Sequence, residues 1–247
     1  MSLNFRQCSY GYRAGVPVLD DLSFEFPTGR TVLLGPNGAG KSTLLSLGAS
    51  VRMPTSGTVT LGRLDIVRRR DRTRYRRHVG WLPQNVSPVP GLTVREQAAY
   101  GGWLKGLSRR EAWDRSAKAL GRVRLTQLAE RRSHELSGGQ LRRLGLAQTL
   151  IHDARVVLLD EPTAGLDPTQ RRVFRDLVGE LADDVSFIVS THQTEDLADL
   201  YATVVVFDGG RALFHGSVAE FLRRAPCQVP AERRAEWAYH ELVGKEV

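Results

Sequence analysis

The chain has 247 residues, 41% hydrophobic and 25% charged, with a formal net charge of +8. That is ordinary globular composition, long enough for one large domain or two small ones and able to bury a core without covalent staples. It contains no apolar run near the about 20 residues that cross a bilayer, and no apolar stretch in residues 1–10 of the signal-peptide kind, so work at a membrane needs a second chain.

The early part of the chain reads as strands. Residues 22–26 alternate apolar and polar, and residues 31–34 form a short apolar run ending at a glycine, the profile of a buried strand. A helix is expected to start at residues 42–47, with further short strands at 59–61 and 79–82. The stretch between holds Arg63, Arg68, Arg69, Arg70, Arg72, Arg74, Arg76 and Arg77. Nucleic acid, anionic lipid or an acidic partner could meet such a patch. Without an array of aromatics for base stacking it reads first as a solvated face.

From Thr93 the texture turns helical. Thr93 with Glu96, and Ser108 with Glu111, have capping-box spacing. Ser137 precedes a helical stretch over 138–151. Strand texture returns at 156–159, 186–189 and 204–207, with helical stretches near 168–181 and 194–200. Strand–helix–strand alternation predicts a mostly parallel, covered sheet. The reading is therefore an α/β core over about 1–84 and 152–225, interrupted by a helical subdomain over about 85–151. The tail, 226–247, reads as a short helix or a loosely held segment. Cys8 and Cys227 match no metal or disulfide spacing and read as reduced thiols.

Gly35-Pro36-Asn37-Gly38-Ala39-Gly40-Lys41-Ser42 fits G-x-x-x-x-G-K-[ST] and sits between a strand and a helix, as a phosphate loop must. Its glycines let backbone N–H groups surround phosphates, and the helix N-terminus adds partial positive charge. Lys41 is placed for the β- and γ-phosphates, Ser42 for Mg²⁺, and Thr43 for the α-phosphate region. The strand 156–159 runs into Asp160 and Glu161 at the edge of the sheet beside that loop. Asp160 is suited to hold Mg²⁺. Glu161, expected to point the opposite way along the pleat, is suited to polarise the attacking water. ATP and Mg²⁺ are the expected ligands.

Leu136-Ser137-Gly138-Gly139-Gln140, just upstream of that strand, resembles the signature motif of ABC ATPases. The resemblance spans about residues 3–223. It implies a P-loop NTPase core with a mostly parallel sheet, an N-terminal antiparallel β part and the inserted helical subdomain. It also implies a head-to-tail dimer, with a second copy or a paralogous subunit, in which Ser137, Gly138, Gly139 and Gln140 close on ATP held by the other subunit. Gln84 is similar to the glutamine that senses Mg²⁺ and the attacking water. Ala164-Gly165-Leu166-Asp167 resembles the loop that signals across the dimer, and His192 the switch histidine that meets the γ-phosphate. The adenine-stacking aromatic falls on Tyr12 or Tyr10, with spacing to residues 18–20 favouring Tyr12.

A single domain without long coiled-coil insertions resembles a transporter's ATP-hydrolysing subunit, peripheral on the cytoplasmic face of the membrane and docked on a separate permease. Binding to nucleic acid is not expected. The stretches 191–196, 208–211 and 214–216 resemble bacterial exporters of the ABC-2 type, which favours export over import. The alternative is a soluble, non-transport ABC ATPase acting on nucleic acid or protein. No regulatory domain of useful size is expected after residue 223.

Overall fold

The computed structural model describes residues 1–13, 15–182, 184–194 and 197–244. The chain opens with strands β1 (Leu3–Tyr10), β2 (Leu19–Phe26) and β3 (Arg30–Leu34), then helix α1 (Lys41–Gly48). Strands β4 (Ser56–Leu61) and β5 (Leu64–Asp65), helix α2 (Arg69–His78) and strand β6 (Val79–Leu82) follow. Three helices come next: α3 (Val94–Leu104), α4 (Arg109–Arg122) and α5 (Gly138–Leu150). Strand β7 (Val156–Asp160), helix α6 (Pro168–Leu181), strand β8 (Ser186–Thr191) and the single turn α7 (Leu197–Leu200) return to α/β alternation. The chain ends through β9 (Thr203–Asp208), β10 (Arg211–Ser217), α8 (Val218–Leu222) and α9 (Arg234–Val243).

Six strands in the order β10-β9-β3-β8-β7-β6 make the central sheet, parallel except for the β9–β10 edge pair. A second sheet, β2-β1-β4-β5, is antiparallel. The uninterrupted apolar runs of the parallel strands follow from burial on both faces. Leu158 and Ile188 face one core with β1, β4 and α1, whereas Leu159 and Val189 face another with α5 and α6. Val32, Leu34, Val204 and Val206 build a third core beneath α8 and α9. The expected fold class is the observed one.

Thr93 and Ser108 do what their spacing predicts, and Ser137 caps its helix in the same way. Thr93, Ser108 and Ser137 each accept from the backbone N–H three residues on, and the side chain there, Glu96, Glu111 or Gln140, returns a bond to the cap. Four elements needed the structure to define them. The strand at residues 3–10 has no clean alternation because Gln7 sits at φ 46° and the register with β2 shifts on either side of Cys8. The arginine run is a helix, α2, hung on the one aromatic inside it: Tyr75 is fully buried and its hydroxyl donates to the Gly48 carbonyl. The tail is not loose, since α9 buries Ala235 and Ala238 in the third core. The expected helix over 194–200 is observed only at Leu197–Leu200, and Glu195 and Asp196 lie outside the described residues.

Candidate functional site

Strands β3, β8 and β7 lie side by side and parallel, so their C-terminal ends reach one edge of the sheet together. Register aligns them closely: Leu34 pairs with Thr191, and Ser190 pairs with Asp160. The loop after β3, the acids ending β7 and the histidine after β8 are thereby collected from distant parts of the sequence. A cleft of about 450 Å³ opens there, lined by Tyr12, Val18, residues 36–43, Gln84 and Glu161.

The loop itself is shaped by close approach. A Cβ on Gly35 would stand 2.1 Å from the Phe207 carbonyl oxygen of β9, so only glycine fits under that strand. Gly40 caps α1 at φ 97°, a left-handed conformation that costs a side-chain-bearing residue roughly 1–2 kcal/mol. Lys41 opens the helix, only 5% exposed, and its ammonium donates to the carbonyls of Gly35 (2.6 Å) and Pro36 (3.0 Å). Burial pulls its pKa below the ordinary lysine value, against the opposing pull of Glu161 and Asp160.

Both acids face this loop. Ser42 Oγ donates to Asp160 Oδ1 at 3.0 Å, and Glu161 Oε1 lies 3.7 Å from Lys41 Nζ. The expectation that the pleat turns Glu161 the other way is corrected. The strand ends at Asp160, and Glu161 adopts φ 45°, which turns its side chain toward Lys41. His192 Nδ1 stands 3.2 Å from Glu161 Oε2. Among the described residues no group of three or more His, Cys, Asp or Glu gathers as an all-protein metal cage. One carboxylate and one hydroxyl, both hard oxygen donors, instead suit a Mg²⁺ that takes its other ligands from phosphates and water.

One contributor was not singled out from the sequence. Ser190 is fully buried; its hydroxyl donates to Asp160 Oδ1 (2.7 Å) and accepts from the Glu161 N–H (3.0 Å). A single side chain thus orients the first acid and holds the strained backbone of the second. A serine directly after the apolar run 187–189 of β8 is the signal that could have found it. Ser190→Ala leaves a carboxylate oxygen and an N–H short of a partner, and the expected loss is about 1–3 kcal/mol of stability. Chemical denaturation measures that loss directly, and an unchanged midpoint would refute the role.

The remaining predicted residues fall into two groups. Tyr12 lines the cleft, its hydroxyl 3.0 Å from Thr43 Oγ1, with the Arg52 guanidinium 4.7 Å from its ring centroid. Tyr10 packs edge-on against Tyr12 and accepts from Arg52, off the cleft. Gln84 lines the cleft too, and Arg142 of α5 donates to its carbonyl, tying this loop to the helices. Ser137, Gly138, Gly139 and Gln140 form the start of α5 and do not line this cleft. Ser137 and Gly138 are exposed. Asp167 caps α6, accepting from the Gln170 N–H at 2.9 Å.

Comparison with known proteins agrees with this geometry. The family profile described as "ABC transporter" matches residues 19–164. The cobalt import ATP-binding protein CbiO of Rhodobacter capsulatus is 41% identical over 219 residues, 87% of this chain and 78% of that protein. The energy-coupling factor transporter ATP-binding protein EcfA2 of Lactiplantibacillus plantarum is 36% identical over 235 residues, 90% of this chain and 80% of that one. Among solved structures, cbiO1 of Clostridium perfringens, described as part of the transporter complex cbiONQ, superposes with a TM-score of 0.76 at 26% identity, covering 95% of this chain and 97% of that chain. The chain belongs to the ABC transporter family and is one of its ATP-binding, ATP-hydrolysing subunits.

Proposed function

We propose that the chain powers import through a separate membrane permease, hydrolysing ATP in a head-to-tail dimer. The observation that carries the dimer is the separation of the two half-sites: the phosphate loop and Glu161 line one cleft, and the exposed Ser137-Gly138 turn lies away from it. A second subunit is the simplest source of a helix N-terminus to close on the γ-phosphate.

Within that dimer, Lys41 and the backbone of residues 36–43 grip the phosphates, and the ring of Tyr12 stacks on adenine. Ser42 and Asp160 hold Mg²⁺, which when bound neutralises phosphate charge. Glu161 takes the proton of the attacking water, His192 meets the γ-phosphate, and Gln84 positions the water and relays its presence to the helices. Phosphoryl transfer needs placement and charge stabilisation above all, and these groups supply both.

Import rests on the names of CbiO and EcfA2, relatives that match most of the chain. Export, expected from the stretches at 191–196, 208–211 and 214–216, draws no support from those two names, and Glu195 and Asp196 in the first of them lie outside the described residues. Among the described residues no helix is long and apolar enough to cross a membrane; the naming of the relatives as ATP-binding proteins of transporters supports a separate permease with this chain peripheral on it. Its dock is the groove of about 280 Å³ that begins beyond Gln84, between Trp81, Val86, Tyr100, Leu104 and Gln148.

Gly138→Asp tests the dimer. A Cβ at Gly138 meets nothing within 4 Å, so the substitution leaves the fold alone. The expected result is unchanged ATP binding by the monomer with turnover lost by about a hundredfold, the scale of removing one pre-organised donor from a transition state. Loss of monomer binding would refute action in trans. Recovery of a polytopic membrane protein with the tagged chain from detergent-solubilised membranes tests the permease, and the transport family of that protein tests the direction.

A further inference from the structure

We propose that the outer face of α2 rests on anionic lipid headgroups beside the permease dock. The proposal rests on the docked, peripheral reading given above but uses none of the nucleotide site.

The helix sorts its side chains sharply. Tyr75 is fully buried, and Asp71, Arg72 and His78 on the same side are half-buried. Arg72 donates to the Ile66 carbonyl, and Arg76 donates to the hydroxyl and carbonyl oxygens of Ser50. These two arginines are structural. Arg69, Arg70, Arg74 and Arg77 remain on the exposed, opposite face. Arg70 has only a distant acid, Asp71 at 3.9 Å, and no ion pair joins Arg69, Arg74 or Arg77 to an acid among the described residues. Four guanidinium groups on one helical face, with no acids between them, repel one another. A face of that kind serves an anionic surface better than it serves the fold.

Position decides which anionic surface. Lys105, at the end of α3, donates to the carbonyls of Val79 (2.8 Å) and Arg76 (3.3 Å), so the ends of α2 and α3 are fastened together. Gly106 lies against the Arg77 guanidinium. Beside that junction, α3 presents Trp103, 49% exposed, and Leu104, 61% exposed. Leu104 lines the groove proposed for the permease; Trp103 does not, and stacks on Tyr100 with ring centroids 5.8 Å apart. Exposed arginines next to an exposed tryptophan form the pairing found at the headgroup layer of membranes, where the indole sits between apolar and wet regions. Nucleic acid is the poorer fit. The one aromatic within the helix, Tyr75, is buried and offers no base a stacking face.

The test uses the full chain without permease. Vesicles of phosphatidylcholine alone, and with about a third phosphatidylglycerol, are sedimented with wild type and with the triple variant Arg69→Gln/Arg70→Gln/Arg74→Gln. Glutamine keeps helix propensity, and ATP turnover in solution reports that the variant is folded. Wild type is expected to prefer the anionic vesicles at least tenfold, less so as salt rises. The variant is expected to lose that preference by on the order of tenfold to a hundredfold. Equal binding by variant and wild type overturns the proposal. So does tighter binding of wild type to a DNA or RNA oligonucleotide than to anionic vesicles at matched phosphate and salt. Permease recovery in detergent is measured in parallel. If the variant loses the permease as well, α2 belongs to the protein dock and the lipid assignment fails while the transporter reading stands. If wild type recovers no permease, the transporter reading fails by itself.

Discussion

Glu161→Gln is expected to slow ATP hydrolysis by about 10²–10⁴-fold, the range a positioned general base contributes, while ATP still binds. The amide has the shape of the carboxylate but cannot take a proton from water. The surroundings explain why binding survives. Lys41 keeps its bonds to the Gly35 and Pro36 carbonyls, Ser42 keeps Asp160, and Ser190 still accepts from the backbone N–H of residue 161. Removing the charge also removes a carboxylate from beside the incoming phosphates, so affinity is expected to hold or rise. With hydrolysis blocked, the dimer closed on ATP should accumulate. Phosphate release at saturating ATP, and sedimentation with and without nucleotide, give the two readings. Hydrolysis at the wild-type rate would place the base elsewhere.

Lys41→Ala acts earlier, on binding. The ammonium sits between the loop carbonyls and the acid pair, 3.7 Å from Glu161. Without it the phosphates approach Glu161 with no side-chain cation between them. Truncating one member of a buried charged pair costs about 2–5 kcal/mol, on the order of 30- to 5,000-fold in Kd. Lys41→Arg is not expected to rescue, because a planar guanidinium does not fit the space of a point donor between two carbonyls. Equilibrium titration with a fluorescent ATP analogue measures the loss, and a thermal melt confirms the fold. Unchanged affinity would remove the phosphate-loop assignment.

What could be read from the chain followed the range of the interaction. The loop at 35–42, the capping boxes at Thr93 and Ser108, and the buried strands are set by residues within a few positions of each other, so spacing alone exposes them. Ser190 stayed hidden because its role exists only through the pairing of Ser190 with Asp160 across two strands. The turn of Glu161 stayed hidden because strand alternation was extended one residue past the strand's end. Helix α2 has no apolar stripe to reveal it. The buried Tyr75 with its hydrogen bond to Gly48, and the bonds of Arg72 to Ile66 and Arg76 to Ser50, hold it in place. Which of the two tyrosines lines the cleft could be read only from the fold: Tyr12 does and Tyr10 does not.

The left-handed backbone at Glu161 also bears on how this protein would respond to selection. A glycine there would relieve roughly 1–2 kcal/mol of conformational cost and delete the carboxylate proposed to take the proton of the attacking water. A population selected only for heat resistance should therefore drift toward glycine at position 161 and grow sturdier as it grows inert. One selected for ATP-driven growth should keep the glutamate and gather its stabilising changes elsewhere.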